Sequence, residues 1–387
     1  MKLKENRLGN YRNSITSKSV VLSLFSVGLS GCAGEIVFLG LFNNNPSDVF
    51  SVDATPDAWG VTAITTGNGT GGFLSSDATY GVIHNFGLSN SPIYRKNFLT
   101  GETKIVDATQ QGDMSTGDSQ QALGISADGR YVIFTLDAYG AVNLDPNAPA
   151  GQTQQTGPLF RKDLDTGGIV RVDVLSDGSY VTPAWGVGTV AISDDGNIVV
   201  FEHINTEYAG LARVSGGQGH VYHKNLTTGE LQIVDITPSG AISAGSAGSG
   251  GYGISLSSDG SIVAFLSTAS DLVSATVGAN SSVYVRSMTT GGVVLANSAA
   301  DGTPSNNNNY GSGVTLSGDG NLVAFTSGAS NLVDGVSGGP QVYVKNLSTG
   351  QVQVVSSASD GTVGNGYSAI SSVSFESLWD NIAQCVI

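Results

Sequence analysis

Ile125-Ser126-Ala127-Asp128-Gly129-Arg130-Tyr131-Val132-Ile133-Phe134 is the stretch on which the fold turns. Asp-Gly is a strong hairpin signal, because glycine accepts the positive φ that right-twisted strands require at a tight turn. Tyr131 to Phe134 then reads as a strand whose side chains alternate between two faces. The same order returns as Ser-Asp-Asp-Gly at 193–196, Ser-Ser-Asp-Gly at 257–260 and Ser-Gly-Asp-Gly at 317–320, with a degraded copy from Ser75 to Ala78. Ile262 to Phe265 repeats the strand that ends in phenylalanine. Each copy is followed by a Thr-Gly turn, at Thr100-Gly101, Thr166-Gly167, Thr228-Gly229, Thr290-Gly291 and Thr349-Gly350, flanked by strands such as Val283 to Arg286 and Val342 to Lys345. A unit of four strands with two tight turns, repeated five times, is the pattern of a blade in a radial repeat.

The two chain ends carry partial copies. Val373 to Phe375 and Asp380 to Ala383 align with Val314 to Leu316 and Asn321 to Ala324, as first and second strands whose turn has eroded. Ile36 to Phe42, a polar turn at Asn43 to Asp48, and Val49 to Asp53 supply candidate third and fourth strands, with Ala54 matching Ala108 after Val106 and Asp107. The expectation is an all-β, six-bladed β-propeller of four-stranded antiparallel blades, its last blade closed by N- and C-terminal strands, occupying 32–387 as one domain. Such closure hides both edge strands. The alternative is an open end left by a truncated product.

The blade sequence at 125–134, together with Ala-Ser-Asp-Leu-Val at 269–273 and Ala-Ser-Asn-Leu-Val at 329–333, resembles the TolB-like six-bladed propeller repeat of bacterial envelope proteins. The resemblance spans residues 36 to 387 and implies fold far more than function. TolB itself carries an extra α/β domain before its propeller. None is expected between Cys32 and the first strand here, which sets that protein's own envelope complex aside.

Composition agrees with many short strands: 54 of 387 residues are glycine and only 12% are charged. Charge is uneven, since Lys2, Lys4, Arg7, Arg12 and Lys18 precede residue 32 with Glu5 as the one acid, leaving 11 basic against 30 acidic residues beyond. A net −19 repels phosphate backbones, so nucleic acid is excluded as an expected partner. The basic stretch, the apolar run Ser19 to Leu29 and then Leu29-Ser30-Gly31-Cys32 resemble a bacterial lipoprotein signal peptide over 1–31, with Cys32 as the lipidated residue. The run is too short to span a bilayer, so the expected anchor is a lipid tether. In the Gram-negative version of that family, Ala33 after the cysteine implies outer-membrane sorting, facing the periplasm. An ordinary cleaved signal with an incidental cysteine is the alternative. With Cys385 at the far end, no disulfide framework exists.

Function is sought on the face that collects the longer loops, Asp137 to Gly157, Asn205 to Gly219, Ser267 to Ser281 and Ser327 to Gly339. Trp59, Trp185, Tyr252, Tyr310 and Tyr367 recur in register in the links between blades. They are candidate ligand-binding residues if they ring the central opening, and wedges between blades otherwise. His220 and His223 point to opposite faces of their strand, which argues against joint metal binding. His84 and His203 follow second strands. Asn143, Asp145 and Asn147 loosely resemble a calcium loop without its glycine and distal glutamate. No cofactor, metal or catalytic residue is assigned. Gly335 to Gly339 matches a hydrolase elbow, and Gly67, Gly69, Gly72 and Gly248, Gly250, Gly253 match a dinucleotide pattern, but neither chemistry is expected without a following helix. The leading expectation is a monomeric, non-enzymatic envelope lipoprotein binding a protein or envelope polymer through its long-loop face. The rival is a lyase or lactonase-like hydrolase with a divalent cation in the channel, using His84, His203 or His220.

Overall fold

In the computed structural model, the described residues are 70–76, 79–85, 92–109, 112, 121–135, 144, 157–179, 187–203, 219–247, 253–277, 281–307, 309–336, 339–358, 361–364, 366 and 368, with four short strands before residue 66. Those four are β1 (Val21–Leu22), β2 (Leu41–Phe42), β3 (Asp48–Val52) and β4 (Val61–Thr65). Five four-stranded antiparallel sheets follow. Blade 1 is β5 (Thr70–Leu74), β6 (Tyr80–Asn85), β7 (Tyr94–Asn97) and β8 (Thr103–Ile105). Blade 2 is β9 (Gln121–Ile125), β10 (Tyr131–Thr135), β11 (Leu159–Asp163) and β12 (Ile169–Arg171). Blade 3 is β13 (Val190–Ile192), β14 (Ile198–His203), β15 (His220–Asn225) and β16 (Leu231–Ile233). Blade 4 is β17 (Ile254–Leu256), β18 (Ile262–Ser267), β19 (Ser282–Ser287) and β20 (Val293–Leu295). Blade 5 is β21 (Asn309–Leu316), β22 (Leu322–Ser327), β23 (Gln341–Asn346) and β24 (Val352–Val354).

Each blade pairs its strands in sequence order. The first strands β5, β9, β13, β17 and β21 lie against one another from blade to blade, so they form the inner wall. Fourth strands form the rim, where Ile105, Val170 and Val294 are exposed. The hydrophobic core is a series of layers between blades. Val199 and Phe201 pack with Ile133 and Leu159 of blade 2, while their neighbour Val200 packs with Val263 and Phe265 of blade 4. Strand alternation alone produces this two-sided packing. A stacked aromatic pair joins second and third strands in four blades: Phe134–Phe160, Phe201–Tyr222, Phe265–Tyr284 and Phe325–Tyr343, with centroids 5.6 to 5.9 Å apart.

The Ser-x-Asp-Gly turn is built the same way each time. Ser126 Oγ donates to Asp128 Oδ1 at 2.6 Å and accepts the Tyr131 N–H at 2.9 Å, which ties the turn to the second strand. Ser193–Asp195, Ser257–Asp259 and Ser317–Asp319 repeat the pair. The degraded copy keeps half of it, Ser75 Oγ accepting the Tyr80 N–H at 3.0 Å. Gly129 sits at φ 69°. A methyl group there would also collide with the Tyr80 ring of the preceding blade, so this glycine serves both turn and packing.

A third turn, not anticipated from the sequence, folds the link after each fourth strand. Its glycines, Gly112, Gly178, Gly240, Gly302 and Gly361, have φ between 81 and 90°. In three links a single bridge closes the turn: Ile236 with Ile242, Ser298 with Pro304, and Ser357 with Val363.

The N-terminal strands differ from expectation. Val49 to Asp53 was expected to pair with Ile36 to Phe42, yet β3 pairs with β4 and β2 pairs with β1. Both segments are rich in β-branched and aromatic residues, Val49, Phe50 and Val52 in one and Val61, Thr62, Ile64 and Thr65 in the other, and closing the short connection between them costs little entropy. The first and second strands expected at 373–383 lie outside the described residues.

Candidate functional site: the loop face and a buried histidine pair

The connections from second to third strand and from one blade to the next share one end of the propeller. Two of its longer loops, in blades 4 and 5, are described almost throughout. In each, three small or branched apolar residues are buried: Ala269, Leu272 and Val277 in blade 4, and Ala329, Leu332 and Val336 in blade 5. The buried Tyr284 and Tyr343 hydroxyls donate to the Ala269 and Ala329 carbonyls at 2.5 and 3.1 Å. Polar side chains then clasp the incoming link. Asn331 Oδ1 accepts the Asn306 N–H at 3.0 Å, Asn331 Nδ2 donates to the Pro304 carbonyl at 2.9 Å, and Asn306 Oδ1 accepts the Ser330 N–H at 3.0 Å. In blade 4, Asp271 accepts the Ala244 N–H at 3.1 Å. Thr268, Ser270, Ser274, Thr276, Ser330 and Asp334 are left exposed on these rigid loops.

Below the loops, each fourth strand ends on a polar residue that caps the third strand of its own blade. Asp107 accepts the Ile93 N–H, Asp173 that of Leu159, Asp235 that of Val221 and Asn297 that of Val283, at 2.9 to 3.0 Å and always 14 residues apart. Ser356 does the same for Val342 at 3.1 Å. In blades 3 to 5 the cap also bonds the residue before that N–H, with Asn297 Nδ2 donating to Ser282 Oγ at 3.5 Å and Ser356 Oγ to Gln341 Oε1 at 2.5 Å. His220 Nδ1 donates to Asp235 Oδ2 at 2.6 Å, and Ser243 Oγ donates to the same oxygen at 2.9 Å. His220 and Asp235 are fully buried, and His220 Nε2 has no hydrogen-bond partner among the described residues. Opposite His220 across the ladder stands His203, also buried, whose imidazole burial pushes down to about 4. Glu202, one residue earlier and on the other face, is held above its ordinary value by burial.

The sequence candidates divide as follows. Cys32, Trp59, Trp185, Tyr252 and Tyr367 lie outside the described residues, as do Asn143, Asp145 and Asn147. Tyr310 is placed on the inner strand β21. His84 and His203 are part of second strands rather than following them, and His220 and His223 are on a third strand. No histidine therefore stands on an inner strand, which removes the geometric basis for a channel-lining histidine set. His220 and His223 do diverge as alternation requires. His223 Nε2 reaches across to the Gly260 carbonyl of blade 4 at 3.0 Å. Among the described residues no three His, Cys, Asp or Glu side chains converge as a metal site. The Asp235 partnership of His220 was not read from the sequence, because it links residues 15 apart across the β15–β16 turn.

Blades of four antiparallel strands, set side by side with first strands innermost, define a β-propeller. Solved structures similar to the chain include TolB from Acinetobacter baumannii, at 14% identity and TM-score 0.44, covering 79% of this chain and 59% of that one. The β-propeller domain of the trilobed protease from Pyrococcus furiosus is similar at 11% identity and TM-score 0.46, covering 80% of each chain. An oligogalacturonate lyase in complex with manganese is similar at 17% identity and TM-score 0.45, covering 76% of this chain and 67% of that one. The chain thus spans less than two thirds of the Acinetobacter TolB. No protein-family model matches the chain, and no curated protein matches it.

Proposed function

We propose that the protein is a non-enzymatic propeller of the bacterial envelope, tethered through a lipid on Cys32, that binds a protein or envelope polymer through its long-loop face. The observation that carries this reading is the construction of the loops in blades 4 and 5. Buried Ala, Leu and Val anchors and a polar clasp that includes Thr268 and Ser330 fix their backbones, while Ser270, Ser274, Thr276 and Asp334 are exposed. A surface ordered before binding loses little entropy when a partner arrives. The acidic charge favours a basic or cationic partner surface over nucleic acid.

The test leaves the anchors intact. Ser270→Trp, Ser274→Arg, Thr276→Arg and Asp334→Arg together obstruct the face without touching the anchors Ala269, Leu272, Ala329 and Leu332 or the clasp residues Asn306, Ser330 and Asn331. Cross-linking in envelope preparations is expected to join the wild-type chain to a specific partner and to lose it in the quadruple variant. An unchanged cross-linking pattern removes the loop face as the binding surface. Cys32→Ser is expected to release the protein from the membrane fraction, and retention there would exclude the lipid tether.

A further inference from the structure

The five blades allow each position to be compared with its counterparts, and one pair departs from the rest. At the loop-face end of the second and third strands, blade 4 sets Ser267 opposite Ser282 and blade 5 sets Ser327 opposite Gln341. Ser282 and Gln341 bond the cap of their own blade, Asn297 Nδ2 donating to Ser282 Oγ at 3.5 Å and Ser356 Oγ donating to Gln341 Oε1 at 2.5 Å. These pairs also serve the backbone. Ser267 Oγ donates to the Ser246 carbonyl at 3.0 Å, and Gln341 Nε2 donates to the Gly364 and Gly366 carbonyls at 2.8 and 3.1 Å. Blade 3 sets His203 opposite His220 at the same two places. The residues one before the capped N–H in blades 1 and 2 are Pro92 and Pro158. The fold therefore has no need of histidine at either position, and half of the chain's four histidines meet there.

We propose that His203 and His220 bind a divalent transition-metal ion, with Asp235 holding the His220 ring in the tautomer that presents Nε2. The chemistry rests on the arrangement around Asp235. Its carboxylate receives the Val221 N–H, the Ser243 hydroxyl and the His220 Nδ1–H. A carboxylate taking the Nδ1 proton of a histidine leaves Nε2 as a lone-pair donor, which is the second-sphere arrangement typical of metal-ligating histidines. That Nε2 is buried and lacks a hydrogen-bond partner among the described residues, an expensive condition for a nitrogen that gains nothing from it. Directly opposed residues in an antiparallel ladder have Cβ atoms about 5 Å apart, within chelating reach for two imidazoles. A positive ion also offsets the buried carboxylate, whose neighbour Arg286 donates instead to the Ile236 carbonyl at 3.3 Å. Imidazole ligation favours zinc, copper or nickel over calcium and magnesium. Water or an exogenous ligand completes the coordination.

The experiment uses the untagged full chain, freed of metal by chelator and dialysis, and titrates it with Zn(II) by calorimetry and with Co(II) by visible absorption. The comparison protein carries His203→Ser with His220→Ser, which copies the Ser267–Ser282 pair of blade 4 and so suits the fold. It retains His84, His223, Cys32 and Cys385, so binding at any of those persists and is subtracted. The wild type is expected to bind one equivalent more of each ion than this variant, with a Co(II) band that the variant lacks. Asp235→Asn, for which the natural Asn297 of blade 4 is the precedent, is expected to weaken Zn(II) binding by about 10- to 100-fold. His223→Gln is expected to leave binding unchanged. Equal metal uptake and equal Co(II) spectra in wild type and double-serine variant, both showing the same cooperative unfolding, would overturn the proposal. So would loss of binding in His223→Gln.

Discussion

Gly129 meets two separate demands, and substitution can tell them apart. Its left-handed backbone costs an alanine about 1 kcal/mol or more, and the new methyl group runs into Tyr80 of the neighbouring blade. Gly101 has a similar φ of 76° with open space around it. Gly129→Ala is expected to lower unfolding stability by about 3 kcal/mol, against about 1 kcal/mol for Gly101→Ala. Equal losses in urea denaturation would show that the contact with Tyr80 is soft. Lys345 supplies a pH-dependent counterpart. Its ammonium donates to the Ser298 carbonyl at 2.8 Å and to the Ser298 hydroxyl at 2.6 Å, and burial pushes its pKa from 10.5 down to about 8. Between those values the unfolded chain holds more protons than the folded one, so stability rises with pH across that window. Below pH 8 the folded chain carries the cost of the buried charge in full. Relative to Lys345→Met, the wild type is expected to gain up to about 3 kcal/mol between pH 8 and 10.5. A constant difference between the two proteins over that range would exclude the shift.

In blades 2 and 3 adjacent residues of the third strand reach in opposite directions and join the blades, while blades 4 and 5 keep only the backward residue, Arg286 and Lys345, beside Val285 and Val344. Arg161 Nη1 donates forward to the Gly196 carbonyl of blade 3 at 2.7 Å, and Lys162 Nζ donates backward to the Ala108 carbonyl after blade 1 at 2.6 Å. Arg95 repeats the forward bond to Gly129 at 2.8 Å, and His223 repeats it to Gly260. Lys224 repeats the backward bond to Val174 at 2.9 Å while also holding the Gly229 carbonyl of its own turn at 2.7 Å. Lys224→Met leaves part-buried carbonyls on two elements without this donor and is expected to cost about 2 kcal/mol, read as a lower urea midpoint with an unchanged m-value. Midpoints within error of one another would mean that the bonds contribute nothing net. The strands and the Asp-Gly and Thr-Gly turns behind this scheme were legible in the sequence, because local φ requirements and alternation dictate them. The capping aspartates were equally regular, at Asp107, Asp173 and Asp235, but their partner lies 14 residues back across a turn, and periodicity does not reveal a side-chain partner. The third glycine turn was only partly hidden: Asp177-Gly178, Asp301-Gly302 and Asp360-Gly361 carry the same Asp-Gly signal, but Gln111-Gly112 and Ser239-Gly240 do not, and no strand of alternating residues follows to mark a hairpin. The histidine pair is invisible when each histidine is read within its own strand, because their meeting depends on the register between strands.

At the scale of the molecule, core layers and latches alike connect only neighbouring blades, so energetic coupling is expected to be local. Gly129→Ala combined with Gly320→Ala, at the blade 1–2 and blade 4–5 interfaces with two other interfaces between them, is expected to give additive losses within about 0.5 kcal/mol. Gly129→Ala combined with Arg95→Ala, which share the hydrogen bond at the Gly129 carbonyl, is expected to depart from additivity by more than about 0.5 kcal/mol. The reverse pattern in double-mutant cycles would point to cooperativity running through the whole ring. The backward latch has one more consequence. It is written at the same place in blades 2 to 5, at Lys162, Lys224, Arg286 and Lys345, and each grips a backbone carbonyl of the link before it, so at this joint a blade recognises its neighbour by position. At that joint the blades are interchangeable, so an array of them can lengthen by copying one whole unit without a new backward fastener.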